Sequence, residues 1–138
     1  MKMDPATGPS LGLEIPDEYI VECVYHDPDC CAEATWCLMA LPDPPTCILF
    51  PDDFSAIGGM NALMEMGLRI PEDISVAGYD GIHLAKVLRL TTYSQNAQAL
   101  GRTAAERLIS LIEHPKTTVL DRVLIEGGLM EGTSVGQI

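Results

Sequence analysis

Polar side chains that could bind a small molecule follow three predicted strands, each at the point where the strand ends. Asp52 and Asp53 come directly after the apolar segment TCILF, Asp80 ends the segment ISVAGYD, and Gln95 comes just after LTTYS. The carboxyl ends of parallel strands meet at one edge of an open sheet, and ligands bind outside that edge. Carboxylate and amide groups hydrogen-bond hydroxyls in pairs, which suits a sugar or another polyol. We therefore expect Asp52, Asp80 and Gln95 to form a ligand site.

An aromatic contact is expected at the same edge. A first predicted strand, residues 18–25, ends at Tyr25 and is followed by His26. Either ring could offer a flat surface to the apolar side of a sugar. The sequence leaves the choice between Tyr25 and His26 open.

Other roles compete for these residues, because Asp and Gln after a strand are also ordinary turn and helix-capping residues. Capping is the favoured role for Asp53, whereas Asp52 and Asp80 suit either role, and Gln95 could cap the long helix that follows it. An acid pair could also serve as general acid and base. No nucleophile–base constellation or metal triad accompanies the pair, so we predict that the chain is not an enzyme.

The elements that must position these side chains alternate along the chain. Asp27 and Pro28 are typical of a helix start, with an acid at the cap and proline in the first turn. Strands are predicted at residues 18–25, 46–50, 74–79 and 90–93, with a final strand pair or extended arm at 118–128. Helices are predicted after Asp27 and at residues 54–67 and 95–114, with a short helix or turn at 83–88. This order predicts an α/β fold in three layers, a parallel sheet with helices on both faces.

Two of these elements carry clear burial patterns. The strand ISVAGY has the composition of a strand that is buried on both faces. In the helix at 95–114, apolar residues recur at helical spacing on one face, namely Leu100, Ala104, Leu108 and Leu111.

Composition and charge exclude several classes of function. The 138 residues are typical of one domain, and their formal net charge of −12 argues against binding of nucleic acid or an anionic membrane by this chain alone. No apolar run approaches the roughly 20 residues that span a bilayer. The first residues contain no apolar signal-peptide core, so we expect a cytoplasmic protein without membrane contact.

The five cysteines favour reduced thiols over a metal site. Their number is odd and no CxxC pair occurs. A zinc site formed by Cys23, His26, Cys30 and Cys31 is the alternative, but the usual second ligand pair is missing. We therefore expect no metal and no cofactor.

The longest recognisable stretches are DDFSAIGGMNALMEMGLRIPEDISVAGYDG and LRLTTYSQNAQALGRTAAERLISLIEH. With Pro45, Thr46 and the strand that they begin, these stretches resemble the effector-binding core of the LacI/GalR family of bacterial transcription regulators. The resemblance runs from about residue 11 to residue 132.

Residues 1–18 are rich in Pro, Gly and small polar residues, which predicts a loop or poorly ordered segment. The resemblance implies a periplasmic-binding-protein-like fold, with residues 19–138 as the C-terminal subdomain of the core. It implies binding of a sugar or similar small molecule, allosteric repression of transcription and a homodimer. DNA would be bound only through an N-terminal helix-turn-helix region, which this sequence does not contain. A solute-binding protein of a sugar transporter shares the fold and is the alternative.

The resemblance also assigns roles to positions. Asp52 stands where the family commonly has an effector-contacting Asn, and Asp80 matches the first Asp of the family's Tyr-Asp-Asp motif, whose second Asp is replaced here by Gly81. Gln95 matches a polar effector-facing position, and an aromatic effector contact falls at Tyr25 or His26. Near the C-terminus, Glu131 stands where the family tends to have Arg.

The resemblance further implies a dimer interface on the outward side of the 54–67 helix and on residues 83–88. The residues expected there are Ile57, Met60, Asn61, Met64, Leu84, Val87 and Leu88.

Overall fold

A computed structural model describes residues 15–117 and 121–136 of the chain. A 3-10 turn at Asp17–Tyr19 comes first. The described helices are α1 (Pro28–Met39), α2 (Asp53–Glu65), α3 (His83–Val87) and α4 (Ala97–Glu113). The described strands are β1 (Cys47–Leu49), β2 (Ser75–Asp80), β3 (Thr91–Ser94) and β4 (Gly128–Met130).

The four described strands form one open sheet in the order β1-β2-β3-β4, with β1 as an outermost strand. Strands β1, β2 and β3 are parallel: Ala77 of β2 pairs with Leu49 of β1 and with Thr91 of β3. Strand β4 runs antiparallel to β3, with Leu129 opposite Tyr93. The predicted α/β fold is therefore confirmed, and the sheet is mixed because its last strand enters from the opposite direction.

The last predicted element, a strand pair or extended arm at residues 118–128, does not form a strand pair in the described residues. The structure assigns no regular element to residues 121–127, and the strand forms only at Gly128–Met130. Residues 118–120 lie outside the described part of the chain. The predicted loop at residues 1–18 also lies largely outside it.

Helix α1 begins as its sequence predicts. The Asp27 side chain accepts a hydrogen bond from the Cys30 backbone N–H at 3.0 Å, and Pro28 occupies the first turn. Cys31, Thr35 and Leu38 form its buried face.

Helix α2 packs against α1 and β2, and two glycines permit this close approach. A Cβ atom at Gly58 would lie 2.0 Å from the backbone oxygen of Pro28, and one at Gly59 would lie 2.0 Å from the Phe50 ring. The main core lies here, between these two helices and one face of the sheet. Its largest members are Leu63, Ile74, Leu90 and Val76.

The opposite face of the sheet is open in the described structure. Leu49 and Leu129 are 61% and 65% exposed, and Tyr79 and Tyr93 are also exposed. The prediction that the strand ISVAGY is buried on both faces holds only near its start: on the second face Ser75 is buried and Ala77 half-buried, but Tyr79 is exposed. Helix α4 has no buried residue, and the predicted apolar stripe on it includes the exposed Leu100 and Leu108.

The strand predicted at residues 18–25 does not form. The 3-10 turn Asp17–Tyr19 occupies its start, and residues 20–25 pair with no strand of the described sheet. The pattern of β-forming residues is present, but Ile20, Val21 and Val24 are exposed. A strand needs a neighbour for its backbone hydrogen bonds, and the described chain places none beside this segment.

Candidate functional site

Three of the predicted site residues come together at the carboxyl ends of β2 and β3. The Asp80 carboxylate accepts a hydrogen bond from Gln95 Nε2, and Tyr25 lies close enough to interact with the charge of that carboxylate. The Gln95 backbone N–H also donates to the Asp80 carbonyl oxygen at 3.2 Å. The negative charge of Asp80 raises the pKa of Tyr25.

The backbone at Asp80 is unusual for a residue with a side chain. Its φ is 116°, and Gly81 follows with φ 72°. A Cβ atom at Gly81 would lie 2.4 Å from Ser94 Cβ, which explains why glycine replaces a larger residue there. Positive φ at non-glycine residues costs about 1–3 kcal/mol and concentrates at functional sites. His26 also has a positive φ, 63°.

Asp52 is fully buried and binds two neighbouring elements together. Its Oδ1 accepts from the Ser55 N–H at 2.9 Å, and its Oδ2 accepts from the Ser55 hydroxyl at 2.7 Å and from the His26 N–H at 3.1 Å. His26 Nδ1 lies 3.4 Å from Asp52 Oδ1. Burial raises the pKa of Asp52, but these hydrogen bonds outweigh burial and hold the pKa below its ordinary value.

An aromatic surface stands beside these carboxylates. The ring centroids of His26 and Phe54 are 4.5 Å apart, and those of Tyr25 and His26 are 5.6 Å apart. All three rings are partly exposed. Phe54 was missed by the sequence analysis, although its position directly after the acid pair was a usable signal.

The capping roles are distributed differently from the sequence predictions. Asp52, and not Asp53, caps α2 through its side chain. Asn96, and not Gln95, caps α4, accepting from the Ala99 N–H at 3.4 Å. Gln95 is therefore left to hydrogen-bond Asp80.

Asp53 lies fully buried behind the site. Its Oδ2 accepts from the Ile82 N–H at 2.8 Å, whereas its Oδ1 is buried and has no hydrogen-bond partner. A carboxylate oxygen that is buried without a donor is rare and requires an explanation.

The cysteines near the site do not form a metal centre. Within residues 15–117 and 121–136, no group of three or more His, Cys, Asp or Glu side chains is arranged to hold a metal ion. Cys23 Sγ lies 3.0 Å from Cys31 Sγ. Burial, followed by the hydrogen bond and charge interaction with Cys31, raises the pKa of Cys23 to about 12.

The predicted dimer residues lie on α2 and α3 and at Leu88, which directly follows α3. Met60, Met64 and Leu88 line one shallow groove together with Leu68 and Ile70. Exposure is 56% for Met64 and 62% for Val87, and Asn61, Leu84 and Leu88 are also exposed. Ile57 and Met60 are half-buried.

A family model described as a periplasmic binding protein-like domain matches residues 12–135. The chain belongs to that family. In this periplasmic binding protein-like domain, Asp80 and Gln95 stand at the carboxyl ends of β2 and β3.

Curated relatives of this periplasmic binding protein-like domain are transcription repressors. It is 39% identical over 107 residues to the probable HTH-type transcriptional repressor ExuR of Bacillus subtilis, covering 76% of this chain and 32% of that protein. It is 32% identical over 120 residues to the HTH-type transcriptional repressor PurR of Escherichia coli, covering 83% of this chain and 35% of that protein. The chain thus spans about a third of the length of these relatives.

Solved structures agree with this assignment. A LacI family transcriptional regulator from Arthrobacter sp. FB24, in complex with lactose, matches with a TM-score of 0.82 at 26% identity, covering 95% of this chain and 49% of that one. A LacI regulator from Bacillus cereus subsp. cytotoxis matches with a TM-score of 0.80 at 26% identity, covering 93% and 45%. The predicted resemblance of this periplasmic binding protein-like domain to the effector-binding core of LacI/GalR regulators is confirmed, and the transporter alternative is not favoured.

Proposed function

We propose that the chain is the part of a LacI-type transcription repressor that binds a sugar-like effector. The observation that carries the proposal is the meeting of Tyr25, Asp80 and Gln95 at one edge of the sheet, where Gln95 donates a hydrogen bond to the Asp80 carboxylate and Tyr25 interacts with its charge. A carboxylate has about four acceptor positions, so Asp80 retains capacity for effector hydroxyls. The rings of His26 and Phe54 supply an apolar surface for one side of a sugar ring.

The charge of this site favours hydroxyl donors. Among the described residues, no Lys or Arg forms an ion pair with Asp52 or Asp80; the partner of Asp52 is His26. A carboxylate that faces a ligand attracts O–H donors and repels anions. The relative from Arthrobacter was solved in complex with lactose, a neutral sugar. We therefore assign a neutral polyol, such as a di- or monosaccharide, to this half of the effector cleft.

The roles of Asp52 and Asp80 differ within this proposal. Asp80 is partly exposed and presents its carboxylate at the edge, whereas Asp52 is fully buried and already accepts three hydrogen bonds. Asp52 then contributes to effector binding indirectly, because its hydrogen bond fixes the backbone of His26.

Titration of the 138-residue chain with lactose, followed by amide chemical shifts, tests the site. We expect shifts centred on Tyr25, Phe54, Asp80 and Gln95. Loss of charge-assisted hydrogen bonds should weaken binding about tenfold to a hundredfold in Asp80→Asn. Asp43→Asn, which changes an exposed carboxylate elsewhere, is the matched control. Equal affinities of Asp80→Asn and the unchanged chain would contradict the site.

The regulatory part of the proposal concerns a longer protein. Effector bound between two subdomains would change their relative position and thereby the affinity for DNA, without any enzymatic step. A cytoplasmic location goes with this role, and no described helix has the length and apolar character to cross a membrane. Sequencing the DNA upstream of the coding region tests this part, since it should encode a helix-turn-helix region.

We also propose that the groove on α2 and α3 contributes to a homodimer. Met64, Val87 and Leu88 are large apolar side chains that a monomer would leave in water, and such patches usually mark association. Met64→Glu should shift the chain toward monomer in sedimentation velocity. Trp36→Glu, at an exposed position on α1, is the control and should leave the mass unchanged. The reverse pattern would move the interface to α1.

A further inference from the structure

We propose that Asp53 is a positioning residue for the effector site. Its buried carboxylate holds residues 80–82 in the conformation that presents Asp80 to Tyr25 and Gln95. The inference rests on the proposed function in treating Asp80 as the effector contact. The role differs from that of Asp52, which caps its own helix and holds His26.

The geometry joins two elements that are distant in sequence. Asp53 stands at the start of α2, and its Oδ2 accepts from the Ile82 backbone N–H, 29 residues later, at 2.8 Å. Its Oδ1 lies against β2: a Cβ atom at Gly78 would approach it to 2.4 Å. Glycine at position 78 therefore lets the carboxylate lie directly under the end of the strand. The buried Asp53 side chain therefore links the start of α2 to the loop between β2 and α3.

Residues 80–82 need such a restraint because their backbone is strained. Asp80 and Gly81 have φ values of 116° and 72°, so two consecutive residues lie in the positive-φ region. Such conformations persist only where the surroundings fix them. On one side, the Gln95 N–H donates to the Asp80 carbonyl oxygen at 3.2 Å. On the other side, the tie is the Asp53–Ile82 hydrogen bond, since α3 has no side-chain cap of its own.

Loss of the Asp53–Ile82 hydrogen bond should therefore change the backbone conformation of Asp80 while the sheet stays folded. Without the Asp53 acceptor, the Ile82 N–H loses its partner, and Asp80 can relax to the negative φ that residues with a side chain prefer. Its carboxylate would then turn away from Tyr25 and Gln95. Asn at position 53 keeps one acceptor oxygen and should preserve most of the effect.

The experiment is nuclear magnetic resonance on the 138-residue chain and its Asp53→Ala and Asp53→Asn variants, without sugar. In Asp53→Ala, amide exchange of Ile82 should accelerate about tenfold to a hundredfold relative to Val76 and Leu63. The three-bond amide–Hα coupling of Asp80 is expected to be small at its φ of 116°, and it should rise when φ becomes negative. Asp53→Asn should stay close to the unchanged chain. Thr92→Val is the control, because it removes a buried hydroxyl that has no hydrogen-bond partner.

A second variant keeps the test valid if Asp53→Ala does not fold. Ile82 has φ −67°, which proline can adopt, so Ile82→Pro removes the donor of the same hydrogen bond. It should raise the Asp80 coupling as Asp53→Ala does, and the double variant should add nothing further. An unchanged Asp80 coupling in either folded variant overturns the inference, as does acceleration of Val76 and Leu63 to the same extent as Ile82.

Lactose titration of the same variants separates this inference from the proposed function. A lactose affinity that is weaker in Asp53→Ala and close to that of the unchanged chain in Asp53→Asn supports both the positioning role of Asp53 and the proposed effector site. If Asp80→Asn leaves lactose binding unchanged, the proposed site is wrong, while the exchange and coupling results still decide the positioning role by themselves.

Discussion

The two faces of the sheet differ in how they are covered. On one face, Ile48, Val76 and Thr92 are buried, and helix α2, which α1 packs against, lies on β2. On the other face, Leu49, Tyr93 and Leu129 are exposed, and α4 contributes no buried residue although its sequence has the clearest apolar stripe of the chain.

This difference shows that an amphipathic pattern predicts an element but not what the element packs against. Helix α4 forms with the predicted cap region and length, and its apolar side chains include Leu108, Ile109 and Ile112 at 53–72% exposure. Burial of such a stripe normally supplies most of a helix's stability. The covered face should therefore carry the stability of the described chain.

The largest expected difference is in hydrogen exchange. Amides of Leu63 and Val76 should exchange only when the whole chain unfolds, whereas amides near Ala104 in α4 should exchange by local opening, at least about a hundredfold faster. Mass spectrometry or nuclear magnetic resonance measures both sets in one sample. Equal protection of α4 and α2 would show that α4 is secured by contacts comparable to those of the core.

The next comparison removes a leucine or isoleucine side chain from each region. Leu63 is fully buried and Ile112 is 72% exposed. Leu63→Ala should lower the free energy of unfolding by about 2–5 kcal/mol, whereas Ile112→Ala should change it by less than about 0.5 kcal/mol. Urea denaturation compares the two variants. A loss above 2 kcal/mol in Ile112→Ala would mean that α4 is packed in solution.

A pair of glycines gives a smaller effect with opposite signs. A Cβ atom at Gly58 would meet the Pro28 backbone, whereas one at Gly101 in α4 would meet nothing within 4 Å. Gly58→Ala should force α1 away from α2 and destabilise the chain by about 1–3 kcal/mol. Gly101→Ala should stabilise it by about 0.5–1 kcal/mol through helix propensity. Thermal unfolding measures both changes in stability. Destabilisation by Gly101→Ala would contradict the open space beside Gly101 in α4.

The smallest effect concerns the helix caps and pH. The pKa of Asp52 in the folded chain is below its ordinary value of 3.8, so the stability it supplies is present above that value and is lost as pH falls through the lower, folded pKa. The stability difference between the unchanged chain and Asp52→Asn should therefore shrink below about pH 3.8. The effect of Asn96→Ala, which removes the neutral cap of α4, should not follow this dependence. Identical pH profiles for the two variants would refute the charged role of Asp52.

Local signals account for what the sequence predicted correctly. The start of α1 depends on two adjacent residues, Asp27 and Pro28. The strands β1, β2 and β3 coincide with short apolar runs, which are visible in the sequence without knowledge of distant contacts. The meeting of Asp80 and Gln95 followed from parallel strand order, because adjacent parallel strands end at the same edge.

Contacts between distant segments account for what it did not predict. Residues 20–25 have the composition of a strand but no described neighbour, and α4 has a stripe but no cover. The Asp53–Ile82 hydrogen bond spans 29 residues and leaves no local pattern. The roles of the acid pair were partly reversed for the same reason: either residue fits a cap, and only the approach of β2 fixes which one does.

The position of β1 at the edge of the sheet has a consequence for the behaviour of the chain at high concentration. Its three residues are followed closely by Pro51 and preceded by Pro44 and Pro45, none of which carries a backbone N–H. The β1 edge therefore offers too few consecutive backbone N–H donors to pair with a strand of another copy. At this edge of the described sheet, the paired segment is therefore too short to template a fibril.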